Sequence, residues 1–265
     1  MMHGTPGSRL GPFPSGRVLY GLGVRLITFD RPGYGESAPQ PGRTVAAVAA
    51  DVTTIADALG IGKFAVLGRS GGGPHALACA ALLEDRVTRA SVLVSLAPRD
   101  AEGLDWFEGM SDSNVREYTD ASSQPEMLAY RLIESADRVR ANPISHVSAI
   151  GPEMPASDRR IVADAGIRAK LIESFGEALR HSAAGWIDDA LAFCTPWGFD
   201  VSEIKAPVLV WHGEDDVFSP VSHAHWLARK IPNAHASISP NLAHFGALEV
   251  MPDVLSWLIR PAWQG

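Results

Sequence analysis

The run Gly68-Arg69-Ser70-Gly71-Gly72 follows the apolar stretch Phe64-Ala65-Val66-Leu67 and precedes an Ala- and Leu-rich segment from Gly73 to Leu83. It reads as a strand that delivers a serine into a sharp turn opening a helix, a nucleophile elbow. A serine held in a strained backbone conformation needs small neighbours. Glycines two residues before and after it let strand and helix approach without a Cβ clash. The hydroxyl then projects above the strand end, where the amide of Gly71, at the positive end of the helix, can donate to a developing oxyanion. An ordinary Gly-rich turn would share these residues, so the chemistry depends on finding a base for the serine proton and a carboxylate to orient that base.

Both partners lie downstream. Ala206 to Gly213 reads as a buried strand, and the loop leaving it, Glu214 to Pro220, supplies acids. His235 to Ser239 reads as a short edge strand. The loop Asn241 to Gly246 then offers His244 ahead of an amphipathic terminal helix, Ala247 to Ile259. Among nine histidines, His244 is the one in a loop followed by Phe-Gly and a terminal helix. The order Ser70, Asp216, His244 suits hydrolases built on a strand, serine and helix, and differs from the chymotrypsin and subtilisin orders.

The elements that must position these residues alternate between apolar strand-like runs and helical segments. That rhythm predicts an α/β fold, a mostly parallel central sheet with helices on both faces. Strands are expected at Val24 to Phe29, Lys63 to Gly68, Ala90 to Leu96, Val208 to His212 and near Ile238, with an amphipathic helix from Val45 to Leu59. Connections of this kind are right-handed crossovers, and ligands in such sheets bind at the carboxyl ends of the strands, where Ser70, Asp216 and His244 fall. From about Pro98 to Pro196 the rhythm breaks. Helices are expected at Glu126 to Arg140 and Ile161 to Arg180, separated by a loop from Asn142 to Pro155. The aromatics of this stretch, among them Trp106, Tyr118, Phe175 and Trp186, are expected to form its own core more than to line a pocket.

On four motifs the chain resembles the α/β-hydrolase superfamily, in the serine-nucleophile branch with a helical cap. They are His3-Gly4-Thr5-Pro6-Gly7-Ser8, Asp30-Arg31-Pro32-Gly33-Tyr34-Gly35-Glu36-Ser37, the elbow at Ser70, and the loops carrying Asp216 and His244. They span nearly the whole chain in the family's order. The resemblance implies a Ser70–His244–Asp216 triad and an oxyanion hole made by the amides of Thr5 and Gly71, with His3 orienting the first loop. It selects Asp216 over Asp215, since the family's carboxylate stands three residues after the strand-ending glycine with a proline four further on. It makes Asp30 to Ser37 a structural loop, and divides the chain into a core of 1–98 and 197–265 with a helical cap at 99–196.

His212 is expected to pack under the triad and His235 to sit at a strand edge. His75, His223 and His225 should be structural or exposed, and His146 and His181 fall in the cap region, where either could face the pocket, with the surface the preferred position. Arg69 is either a contact for a substrate carboxylate or a surface or salt-bridged arginine.

The chain departs from the family at its start, where only Met1 and Met2 precede His3. The first strands are missing from the expected sheet, which leaves a gap between the strands ending at Phe29 and Gly68, with unpaired backbone groups and an unsupported Thr5 amide. An upstream true start, a fragment, or a sheet rearranged around the loss would each account for it, and the first is the preferred reading.

The activity implied is hydrolysis of a small carboxylic ester or lactone through an acyl-enzyme. An aminopeptidase resembling proline iminopeptidase and a non-catalytic ligand-binding relative are the alternatives. Epoxide hydrolases and haloalkane dehalogenases carry a carboxylate where Ser70 stands. No metal or organic cofactor is called for, and the expected partner is a small molecule, with a homodimer left open. With 265 residues and 46% hydrophobic content the chain can bury a substantial core. A scattered net charge of -7 gives no footprint for nucleic acid. Two cysteines, Cys79 and Cys194, suggest neither a disulfide framework nor a metal site. No apolar run spans a bilayer and no secretory signal opens the chain, so a cytoplasmic location is expected.

Overall fold

In a computed structural model, residues 1–260 are described. Four parallel strands lie side by side in the order β1 (Phe64–Arg69), β2 (Val87–Leu93), β3 (Val208–Gly213) and β4 (Ala234–Ser239). Every residue of β3 is buried, as a parallel strand covered on both faces requires. Register aligns Arg69 with Leu93, Leu93 with Trp211, and Gly213 with Ser239. The loops that follow β1, β3 and β4 therefore emerge together at one edge of the sheet.

The helices are α1 (Gly16–Gly21), α2 (Val48–Ala58), α3 (Gly72–Leu82), α4 (Asp112–Ser123), α5 (Pro125–Ala141), α6 (Ser145–Ile150), α7 (Ala156–Ala163), α8 (Ala165–Ala178), α9 (Ala184–Phe193), α10 (Val221–Lys230) and α11 (Ala247–Leu258). Leucine, alanine and cysteine side chains bury α3 from Gly72 through Ala80, so it serves as the central helix behind β1 and β2. On the other face, Met251, Val254, Leu255 and Leu258 of α11 pack against Leu67, Leu93, Leu209 and Trp211. Helices α4 to α9 all lie between β2 and β3 in sequence and share a second core around Leu128, Leu132, Leu171 and Phe175. None of the helices among the described residues is long and apolar enough to cross a membrane.

Four expectations are corrected. Val24 to Phe29 forms no strand, because a strand needs a hydrogen-bonded neighbour and, among the described residues, the edge of β1 away from β2 is held by Met2. The Met2 amide donates to the Leu67 carbonyl at 2.7 Å and its own carbonyl accepts from Arg69 at 3.3 Å. An apolar cleft of about 370 Å³, lined by Val24, Leu26, Ile27, Val66 and Leu258 among others, separates residues 24–29 from β1. The Met1 amine to the Ile27 carbonyl, 2.7 Å, and the Thr28 hydroxyl to the Arg9 carbonyl, 3.0 Å, tie the segment in place.

The helix expected over Ile161 to Arg180 breaks at Asp164, whose ψ of 126° is not helical and whose carboxylate accepts from the Ile167 amide, capping α8. β2 ends three residues before the expected Leu96, since Val94 takes a φ of +48° and turns the chain away. The loop from 142 to 155 also folds a short helix, α6, and α4 and α9 are further helices.

Candidate active site

Ser70 stands between β1 and α3 with φ at +54°, a left-handed conformation that costs a non-glycine residue about 1 kcal/mol or more. The surroundings hold it there. Its amide donates to the Leu93 carbonyl and its carbonyl accepts from Gly73, both at 2.8 Å. A Cβ on Gly68 would sit 2.2 Å from the Gly72 carbonyl oxygen, and one on Gly72 would sit 2.4 Å from that of Met2. Only hydrogen fits at either position, which is the physical content of the motif.

Asp216, buried in the loop after β3, faces His244 in the loop after β4. His244 Nδ1 lies 2.9 Å from Oδ2 and 3.2 Å from Oδ1 of the carboxylate. Oδ1 also accepts from the amides of Phe218 and Ser219, at 2.8 and 3.0 Å. His212, packed beneath, donates through Nε2 to the Ser219 carbonyl at 2.5 Å and lies 3.3 Å from Asp216 Oδ2. Burial alone would push the Asp216 carboxyl up, but His244 and His212 outweigh it and hold it well below the usual carboxylate range. Asp215 is exposed, as a solvated loop acid would be. Ser70 and His244 line the same cavity, of about 260 Å³. No hydrogen bond joins the Ser70 hydroxyl to the imidazole here, and such contacts often tighten only around a substrate.

The loop carrying Thr5 meets the elbow from the other side. A Cβ on Gly71 would lie 2.2 Å from Thr5 Oγ1, so the two stretches of chain are in contact. His3 accepts from the Arg31 amide at Nε2, 3.2 Å, and therefore donates from Nδ1 to the Gly4 carbonyl, 2.8 Å. The Arg31 guanidinium, fully buried, donates to the carbonyls of His3 and Gly4 at 2.5 and 3.2 Å and to the Thr5 hydroxyl at 3.0 Å. That hydroxyl in turn donates to Asp189 Oδ2 at 2.6 Å. Asp189, on α9, also receives Arg31 and Arg43 at 2.5 Å each and the Tyr34 hydroxyl at 2.8 Å. Burial opposes its charge, but Arg31 and Arg43 keep its carboxyl well below the usual range. Burial lowers His3 as well, and brings His75 of the same cluster down to about 4, so both rings stay neutral. The Asp30 to Ser37 loop anchors the insertion: Gly185 donates to the Gly33 carbonyl at 3.2 Å and Gly35 to that of Ala178 at 3.2 Å.

Residues the sequence reading did not single out complete the site. Asp158, on α7 and fully buried, accepts from the Phe245 amide at 2.8 Å and pins the His244 loop. Burial pushes its carboxyl up to about 6. Glu117 lines the cavity, accepts from Trp186 Nε1 at 3.0 Å and is pushed by burial to about 7. The two acids of Asp188-Asp189 within the otherwise apolar Ala-Gly-Trp-Ile-Asp-Asp-Ala-Leu-Ala-Phe helix were the available signal for a buried polar role.

His146 takes the pocket-facing place and not the preferred surface one: it lines the cavity with its ring centroid 4.5 Å from that of Phe175 and 5.3 Å from that of Trp186. His181 is exposed, His235 is exposed on β4, and His223 is a buried structural link between the Ala97 amide and the Trp106 carbonyl, both at 3.0 Å. Tyr118, Phe175 and Trp186 both pack in the core clusters and border the cavity. Among the described residues no group of three His, Cys, Asp or Glu is arranged to hold a metal ion, and both cysteines are free thiols.

Residues 1–124 match the family model of the alpha/beta hydrolase fold. The chain is 28% identical over 233 residues to the pimeloyl-(acyl-carrier protein) methyl ester esterase of Nitrosomonas europaea, covering 83% of this chain and 78% of that protein. In three dimensions it resembles an alpha/beta hydrolase fold protein from Nakamurella multipartita, at a TM-score of 0.65 and 24% identity, over 97% of this chain and 90% of the other. A thermophilic esterase from Thermogutta terrifontis is similar at a TM-score of 0.65 and 24% identity, over 97% and 86% of the two chains. A parallel sheet flanked by helices, a serine in a left-handed turn between strand and helix, and these matches lead to one fold: the chain has the α/β-hydrolase fold.

Proposed function

We propose that the protein is a serine hydrolase acting on a small carboxylic ester or lactone, with residues 99–196 serving as a cap over a core of 1–98 and 197–265. The Ser70 hydroxyl attacks the carbonyl carbon as His244 Nε2 takes its proton, and Asp216 stabilises the imidazolium. The tetrahedral oxyanion accepts from the amides of Thr5 and Gly71. Collapse expels the alcohol, which takes the proton from His244, and leaves an acyl group on Ser70. Water, deprotonated by His244, then releases the acid and restores the serine. The observation that carries this reading is the buried Asp216–His244 pair, at 2.9 Å, opening on the same cavity as the strained Ser70. The ester assignment draws on the name of the Nitrosomonas relative. The ligand-binding alternative draws on the open Ser70–His244 contact.

Intact mass after treatment with a fluorophosphonate probe, followed by peptide mapping, separates the two. A single adduct on Ser70 is expected, and Ser70→Ala should abolish it and reduce ester turnover by about a thousandfold or more while the chain still folds. A folded wild-type protein that takes no adduct would favour the binding protein instead.

A further inference from the structure

Arg69 precedes the nucleophile in sequence, and its environment is unusual for a guanidinium. Only 7% of the residue is exposed, and it borders the Ser70 cavity. A Cβ built on Gly4 would lie 3.3 Å from Arg69 Nη2 and 3.5 Å from Ser70 Cβ, so the guanidinium ends beside both the Thr5 loop and the nucleophile. Among the described residues the guanidinium makes no hydrogen bond and no ion pair. Asp158 and Asp216 act on it only through space, outside contact distance, while burial works against its charge. The other buried arginines of the site, Arg31 and Arg43, are each satisfied by Asp189.

The remaining charges of the cavity lean the same way. Arg131 is matched by Asp120, Glu117 is pushed toward neutrality by burial, and Arg116 stands at the rim without an ion pair. In a chain of net charge -7, two arginines that line the cavity beside Ser70 thus make no ion pair among the described residues, Arg69 buried within it and Arg116 exposed at its rim. A buried cation without a partner is costly unless a ligand supplies the anion, and a guanidinium fork matches a carboxylate bidentately.

We propose that Arg69 forms a carboxylate-binding subsite beside Ser70, so that the substrate is an ester or lactone bearing a free carboxylate a few bonds from the scissile carbonyl. The proposal rests on the serine-hydrolase reading above. The carboxylate would anchor the substrate on Arg69 while its carbonyl oxygen enters the space between the Thr5 and Gly71 amides.

The test compares hydrolysis of para-nitrophenyl hydrogen glutarate with that of its uncharged methyl ester by wild type, Arg69→Gln and Arg69→Lys. Wild type should favour the charged ester in kcat/KM by about tenfold to a hundredfold, the span of a hydrogen bond to a charged group. Arg69→Gln should bring the ratio to about one, and Arg69→Lys should retain part of it. No charge preference in wild type, or a full preference surviving in Arg69→Gln, would overturn the subsite, and the wild-type ratio decides even if Arg69→Gln fails to fold.

Calorimetric titration with glutarate distinguishes failure of the subsite from failure of the hydrolase reading. Glutarate binding that weakens tenfold or more in Arg69→Gln, in a protein that neither hydrolyses esters nor takes the fluorophosphonate, would keep the subsite and reject the hydrolase. A wild-type protein that labels at Ser70 but ignores glutarate and the charge of the ester would do the reverse.

Discussion

Two carboxylates reach from the helical insertion onto the two loops that flank Ser70, and they sit in opposite electrostatic settings. Asp189 holds the Thr5 loop and is surrounded by donors, among them Arg31, Arg43, Tyr34 and the Thr5 hydroxyl. Asp158 holds the His244 loop through the Phe245 amide, and its second oxygen has no hydrogen-bond partner among the described residues. Both are fully buried. At Asp189 the two guanidiniums overcome the burial and keep the group ionised, whereas at Asp158 burial dominates and lifts the carboxyl to about 6. Burial alone therefore does not set the ionisation of a buried acid; the cations that meet it do. One loop is fixed by a permanent charge, the other by a group that changes its charge near pH 6.

Removing the charge at each position tests that contrast most strongly, because the expected effects have opposite signs. Asp189→Asn leaves Arg31 and Arg43 buried against a neutral amide and should cost about 3–5 kcal/mol of unfolding free energy at pH 7, read by denaturant titration. Its carboxyl is held below the usual range in the folded state, so the stabilisation is present above the unfolded-state value. It is lost only as pH falls through the lower folded value, and the deficit of the variant should persist from pH 5 to 8. Fluorophosphonate labelling of Ser70 should slow in the same variant as the Thr5 loop loosens. An unchanged denaturation midpoint at pH 7 would break the comparison at its stronger end.

Asp158→Asn should act the other way and more weakly. The folded chain keeps the Asp158 proton where the unfolded chain has lost it, so wild type loses stability as pH rises from 3.8 to about 6. Above that window the asparagine, which keeps an oxygen for the Phe245 amide, should be more stable by on the order of 1–3 kcal/mol. Below about pH 4 the two proteins should converge. Parallel melting curves at pH 4 and pH 8 give the difference directly, and a less stable variant at pH 8 would make Asp158 a charge-dependent support like Asp189.

The smallest effect should come from the solvent end of the loop that Arg31 anchors. Glu36 pairs there with Arg180 at 2.6 Å and approaches His181 at 3.5 Å, all largely exposed. Glu36→Gln should change stability by no more than about 0.5 kcal/mol. A loss above 1 kcal/mol in a thermal melt would mean that the surface pair shares the work of the buried cluster.

The parts of the site that could be read in advance are those written in short stretches. The elbow is legible because Gly68 and Gly72 leave room that no other residue would leave, and the clash distances at those two positions state the reason in ångströms. The strands β1, β3 and β4 are legible as apolar runs bounded by turn residues, and the loops with Asp216 and His244 follow from their ends. Val24 to Phe29 has the same apolar pattern and forms no strand, since hydrogen-bonded pairing is a property of two segments and, among the described residues, the edge of β1 away from β2 is paired with Met2. The break at Asp164 hinged on a side chain capping α8 instead of continuing a helix, a competition that periodicity does not register. No motif in the sequence marks Arg43, Asp158 or Asp189 as part of the site, because sequence carries no measure of burial.

What the sequence determined by itself is the local backbone chemistry: a serine that can be held at positive φ, the strands that end beside it, and the order in which acid and base follow. Those features depend on residues a few positions apart, where sterics and periodicity act directly. The tertiary structure alone decided which charges are buried together, that Asp189 on α9 supports the Thr5 loop from 184 residues away, that His146 turns into the cavity, and that Arg69, beside Ser70, has no hydrogen-bond or ion-pair partner among the described residues. Electrostatic pairing is set by distance and dielectric in space, and neither quantity is written along the chain.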